Sequence, residues 1–190
     1  AIDSNLFSQV NTVYKMVKET INGIAGCFDN YTMHDIGHCI RVAHYMEQLA
    51  FGIDAHKEDR LKEFNAAELA ILLLSALLHD IGMFIRPIDR EEIKNNKIKH
   101  AERLKITYKG VLEVKKGNVE EAIKEIIRLT HAARVFEFLD CEFEGHQKIS
   151  NILKIDNNYE YANDVGLICQ AHGENYNFLK TQLRSSVTKG

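Results

Sequence analysis

Proline is nearly missing from this chain. Pro87 is the single one in 190 residues, and the long apolar segments lack strict alternation of apolar and polar positions. Half-buried strands need that alternation, so its absence argues against sheets and for helices. Cysteine is sparse as well: Cys27, Cys39, Cys141 and Cys169 form no CxxC pair, which excludes a zinc ribbon. With no secretory leader beside them, they read as reduced thiols in a cytoplasmic protein. A large charge excess is also lacking. Lys and Arg number 24 against 27 Asp and Glu, a net charge of -3, so no strongly basic nucleic-acid-binding balance covers the whole chain. Lysines are dense over 94–116, but Glu91, Glu92, Glu102 and Glu113 lie among them. That mixture reads as a solvated helix and loop, with a phosphate-facing subset as the alternative. The apolar run over 69–78 is too short for a membrane span, and no membrane partner is expected.

What is present is enough for one sizeable core. At 45% hydrophobic and 27% charged residues, one domain over 1–190 is the expectation; the missing initiator Met leaves open a fragment of a longer protein. Helices are predicted over about 5–22, 34–51, from Asn65 to Gly82, over 118–139, 146–154 and 161–172, Gly173 being a stop. Asn65 with Glu68 forms a capping box, and Thr32 with Asp35 resembles one. A short ribbon or loop is expected over 105–117.

The most informative feature is His79-Asp80, which closes the apolar run and precedes Ile81-Gly82. An ionisable pair at the end of a buried helix is costly unless something binds it. Upstream, His34 and His38 stand four apart in Tyr31-Thr32-Met33-His34-Asp35-Ile36-Gly37-His38-Cys39-Ile40-Arg41-Val42. That spacing puts them on one helix face, with Arg41 on roughly the same side.

His38 followed by Arg41-Val42, then His79-Asp80 ending an apolar helix, resembles the HD superfamily of metal-dependent phosphohydrolases. The phrases Arg128-Leu129-Thr130-His131-Ala132-Ala133-Arg134 and Ile168-Cys169-Gln170-Ala171-His172-Gly173-Glu174 resemble members that add histidines for a second metal. The resemblance implies a compact all-α helical bundle with His38, His79 and Asp80 as metal ligands, and His131 and His172 as ligands of a second ion. It also implies a fourth primary ligand, an Asp on a later helix. Asp164 is the candidate in this chain, the alternatives being a helix-dipole role or a ligand beyond Gly190.

The residue chemistry agrees. Imidazole with carboxylate suits Mn, Fe, Co, Ni or Zn, and all-oxygen sites suit Mg better, so one or two divalent ions of the first kind are expected, Mg remaining an option. Asp80 has two oxygens and can bridge two ions. His34 is a candidate outer-shell or phosphate-contacting residue, or a surface histidine. His131 and Arg134, three apart, can face one pocket as ligand or proton donor beside a phosphate-binding guanidinium, or form a surface pair. His172 is either a second-site ligand or a helix cap, and Arg41 either binds phosphate or braces the helices. The expected activity is hydrolysis of a phosphoester in a nucleotide or nucleic acid by metal-activated water. The rival is a noncatalytic HD module serving a protein partner or an adjoining domain.

Overall fold

The computed structural model describes residues 4–25, 28, 34–52, 60, 62–98, 100–101, 104–142, 147–154 and 160–174. Apolar residues recur at Leu6, Val13, Val17, Ile21 and Ile24 along α1 (Ser4–Ala25), and all five are buried. The three- and four-residue spacing gathers them into one stripe. α2 (Ile36–Phe51) follows, then α3 (Ala66–Leu78), whose first turn carries the expected capping box. Asn65 accepts from the Glu68 amide (3.0 Å), and the Glu68 carboxylate accepts from the Asn65 amide (2.8 Å). The regular helix ends at Leu78, before Gly82, and a 3-10 turn (Ile81–Met83) takes over.

α4 (Pro87–Lys94), α5 (Tyr108–Val114), α6 (Val119–Asp140), α7 (Ile149–Ile152) and α8 (Ala162–Ala171) complete the order. The all-α class expected from composition is what the chain adopts. Among the described residues there is no strand, and an isolated antiparallel bridge joins Lys154 to Glu160. The short ribbon or loop expected over 105–117 is corrected by α5, which occupies Tyr108–Val114 of it. The Thr107 hydroxyl accepts from the Gly110 amide (3.2 Å), and the helix lies against α6. A cap and a docking surface together outweigh the helix penalty of Gly110. The Thr32 capping expectation, Cys27 and the predicted start of a helix at His146 lie outside the described residues.

α3 is the centre of the packing, with α1, α2 and α8 around it. The stretch Ala66–Met83 is long and apolar enough to cross a membrane by length and composition. In this fold its helix stops at Leu78, and Leu74, Ser75, Ala76, Leu77 and Leu78 are buried among neighbouring helices. Buried apolar residues from α1, α3, α6 and α8 join one cluster. Polar ties fasten its far side: Gln9 on α1 donates to the Lys154 carbonyl (2.5 Å) and also bonds the Tyr161 hydroxyl.

The 3-10 turn presses on the middle of α6. A Cβ at Gly82 would collide with the His131 carbonyl oxygen and lie 3.1 Å from the Arg134 Cβ. Backbone cannot yield as a side-chain tip does. Gly82→Ala is therefore expected to cost about 1–3 kcal/mol, read by urea unfolding. A neutral result would mean that α6 is free to shift.

Candidate metal centre

Four helices bring their histidines to one carboxylate. At the entry to α2, Asp35 is the N-cap, its side chain accepting from the His38 amide (2.7 Å). Asp35 therefore takes the capping role itself and sets His34 just outside the helix and His38 in its first turn. His79 is the C-cap of α3 and Asp80 the next residue; His172 is the C-cap of α8, and His131 sits in mid-α6. Asp80 is buried, and the rings around it are part-exposed, from 12% for the His79 side chain to 34% for His172. A buried anion thus lies beneath a rim that solvent reaches.

The two oxygens of Asp80 face different histidines. Oδ2 is 2.8 Å from His79 Nε2, 3.2 Å from His38 Nε2 and 3.7 Å from His34 Nε2. Oδ1 is 3.4 Å from His131 Nε2 and 3.8 Å from His172 Nε2. Across each set the ring nitrogens also meet, His38 with His79 at 3.2 Å and His131 with His172 at 2.7 Å.

Backbone bonds decide which ring nitrogen is available. Nδ1 of His79 donates to the Ala76 carbonyl (2.9 Å), Nδ1 of His131 to that of Arg128 (2.6 Å), and Nδ1 of His172 to that of Cys169. A carbonyl only accepts, so Nδ1 carries the hydrogen and Nε2 of a neutral ring is a lone pair. Between His131 and His172 two such lone pairs face each other at 2.7 Å and repel unless a proton or cation lies between them. Metal-binding histidines use this same Nδ1-to-carbonyl bond to orient the ring.

Helix ends add to the preference for a cation. α3 and α8 both stop at the cluster, and their C-terminal carbonyls carry partial negative charge. Two buried thiols satisfy neighbouring carbonyls, Cys39 bonding Leu77 and Cys169 bonding Ser75, each at 3.5 Å. Burial pushes the Cys39 thiol up to about 12 and raises Cys169 as well, so neither is a nucleophile at neutral pH.

Charge within the cluster follows from burial and contact. Burial opposes ionisation of Asp80, yet bonds from His131 and His79 hold its carboxyl well below the usual range. Burial likewise opposes a charged His79, but its bond to Asp80 raises it. Burial lowers His38 and His172, with His131 adding to the effect at His172. Metal binding requires an ionised carboxylate and neutral imidazoles; Asp80, His38 and His172 already lean that way, and His79 would give up its proton to an ion. His38, His79 and Asp80 form one group able to hold an ion, and Asp80, His131 and His172 form another. The arrangement is compatible with divalent metal ions.

Two expected site residues, Arg134 and Asp164, have other placements, and Arg41 stays beside His38. Arg134 does not face a phosphate site. Its side chain is fully buried, bonding Asp89 (2.5 Å) and the Gly82 carbonyl (2.5 Å). Helical spacing from His131 predicted a shared pocket, but three residues of α6 carry Arg134 round to the core. Asp164 lies in the first turn of α8, about 12 Å along the helix from His172, and belongs to neither histidine group. There its charge suits the positive helix end. Arg41 is exposed one turn beyond His38, close enough for its guanidinium to act on that ring.

Sequence reasoning missed the buried network behind the centre. Arg86 bonds Asp89 through its amide (2.7 Å) and guanidinium (2.7 Å), and Glu137 (2.6 Å). Pro87 and Asp89 in a first helical turn were a visible helix-start signal; the partner 45 residues away was not.

A family model described as HD-CE matches residues 28–190. No curated protein and no solved structure matches the chain. The match leaves α1 outside it and takes in all six residues of the cluster.

Proposed function

The chain belongs to the HD-CE family, and from that membership and the division of histidines between the two oxygens of Asp80 we propose that it is a metal-dependent phosphohydrolase. The carrying observation is that one buried carboxylate offers an oxygen to each of two imidazole sets. Two divalent ions held there would supply Lewis acidity for activating water and for neutralising charge on a phosphoester. Nitrogen-rich ligation favours Mn, Fe, Co, Ni or Zn over Mg.

The chain's own residues set the conditions. Asp80 stays ionised across the neutral range and supplies the anchoring negative charge. The Nδ1 bonds to Ala76, Arg128 and Cys169 hold three rings with Nε2 inward, so little reorganisation accompanies ion uptake. Arg41, exposed beside His38, is placed to take a phosphate oxygen with its planar fork of donors. Five imidazoles and one carboxylate leave two dications with excess positive charge, which an anionic phosphoester offsets. A nucleotide or nucleic acid is the substrate class proposed.

A protein partner or adjoining domain has separate support. Phe7, Ile40 and Leu73 are large apolar residues exposed on α1, α2 and α3 that line one groove, and contiguous apolar surface of this kind marks contact with another protein.

A panel of nucleotides and single-stranded nucleic acids, run with Mn, Co, Ni, Zn and Mg on the native chain and on His79→Ala, tests the proposal. Hydrolysis by the native chain is expected to be lost in the variant. Activity that survives the substitution unchanged would sink the site. Metal binding with no turnover on any substrate would leave the noncatalytic module instead.

A further inference from the structure

We propose that Arg134 is a positioning residue for the Oδ1 half of the centre: its guanidinium holds the turn after Asp80 against α6 and so fixes the distance from Asp80 to His131. This inference rests on the metal reading of the cluster.

The two halves are built differently. His79 and Asp80 are neighbours in the chain, and His79 is tied through Nδ1 to Ala76 within α3. Their pairing at Oδ2 is therefore set by the end of one helix. The pairing at Oδ1 joins two elements, since Asp80 follows α3 and His131 lies in mid-α6, 3.4 Å from the oxygen.

Two contacts set the gap between those elements, each within one helical turn of a ligand. Gly82 is two residues after Asp80, and its backbone lies so close to the His131 carbonyl that a Cβ would collide with it. That contact limits approach. Arg134, three residues after His131, draws the same turn in: Nη1 donates to the Gly82 carbonyl (2.5 Å) and lies 3.4 Å from the Phe84 carbonyl. Nη2 donates to one oxygen of Asp89 (2.5 Å), and Arg86 holds the other oxygen through its guanidinium (2.7 Å). The grip on Gly82 is thus itself anchored.

Burial favours a geometric role over a purely stabilising one. Arg134 is fully buried, and among the described residues its Nε has no hydrogen-bond partner. A buried ion pair is a weak source of stability, because well-packed apolar side chains of similar volume often serve as well. An apolar side chain cannot grip a carbonyl. The planar fork of Arg spans the Gly82 carbonyl and the Asp89 carboxylate at once, and the single nitrogen of Lys does so less well.

Calorimetric titration of the metal-stripped full chain with Co2+ tests this, each ion being identified as the one lost in His38→Ala or in His172→Ala. In Arg134→Met the ion of His131 and His172 is expected to weaken about 10–100-fold, the usual cost of removing support behind a metal site. The ion of His38 and His79 should keep its native affinity. Arg134→Lys should show a smaller loss of the same ion, and it carries the test if Arg134→Met does not fold. Leu153→Ala is the control for stability alone. Leu153 is fully buried, and its carbonyl accepts from the Tyr161 amide (3.2 Å) at the end of α8 opposite His172. That variant should unfold at lower urea and keep both affinities. If Arg134→Met weakens both ions equally or neither, if Arg134→Lys loses no less, or if Leu153→Ala reproduces the selective loss, Arg134 is structural only and the metal centre stands. A native chain that takes up no Co2+ overturns the centre itself, and the positioning role with it.

Discussion

Asp80→Ala is expected to release both ions together and to reduce phosphoester hydrolysis by on the order of 10³-fold or more, since the carboxylate anchors two sets of developing charge at once. Its oxygens divide between His38 and His79 on one side and His131 and His172 on the other. Removing a single histidine should weaken one ion and spare much of the other. The losses from Asp80→Ala and His172→Ala should then be non-additive, because the second substitution acts on a site the first has already opened. Metal content by plasma mass spectrometry beside a Co2+ titration of the metal-stripped chain reads this. An Asp80→Ala chain that holds one ion at native affinity would contradict a shared carboxylate.

The largest expected effect on stability lies behind the centre. Asp89 and Arg134 are both fully buried and paired at 2.5 Å. Asp89→Ala leaves the Arg134 guanidinium inside the protein without that carboxylate, which should cost about 3–5 kcal/mol. Arg134→Met should cost less, because Asp89 keeps its bonds from Arg86. The double substitution should recover part of the Asp89→Ala loss, since no unpaired charge is then left in the core. Urea unfolding of the three variants gives the ordering. An Asp89→Ala chain as stable as the native one would show that the Gly82 carbonyl and the Phe138 ring suffice for Arg134.

Acidification should act in the same direction. Burial opposes ionisation of Asp89, but Arg86 and Arg134 hold its carboxyl below the ordinary value of 3.8. A group with a depressed folded-state value binds its proton more readily when unfolded, so unfolding takes up a proton in acid. Its contribution is whole above the ordinary value and declines as pH falls through the depressed one. Asp89→Asn should flatten that part of the stability profile.

Some of this was legible residue by residue. Asn65 and Glu68 are three apart, and their reciprocal bonds formed as expected, because a capping box needs nothing beyond one turn of helix. The apolar run ending in His79-Asp80 likewise announced a buried helix with a polar end. Arg134 shows where such reasoning stops. Its spacing from His131 was read correctly as helical, but the direction of the side chain depends on which neighbour covers which face of α6. Region 105–117 failed for a related reason: a short, glycine-containing helix is marginal alone, and docking on α6 supports it.

The amino-acid sequence by itself determined the long helices, the Asn65 capping box and the residue types able to hold a cation, since each rests on interactions within about four residues. Tertiary structure alone decided that His38 meets His79 and His131 meets His172, in each case across 41 residues. It also decided that Asp80 lies between them with one oxygen for each set. Contacts of that range depend on how α2, α3, α6 and α8 pack around a shared core, and no local pattern carries that information.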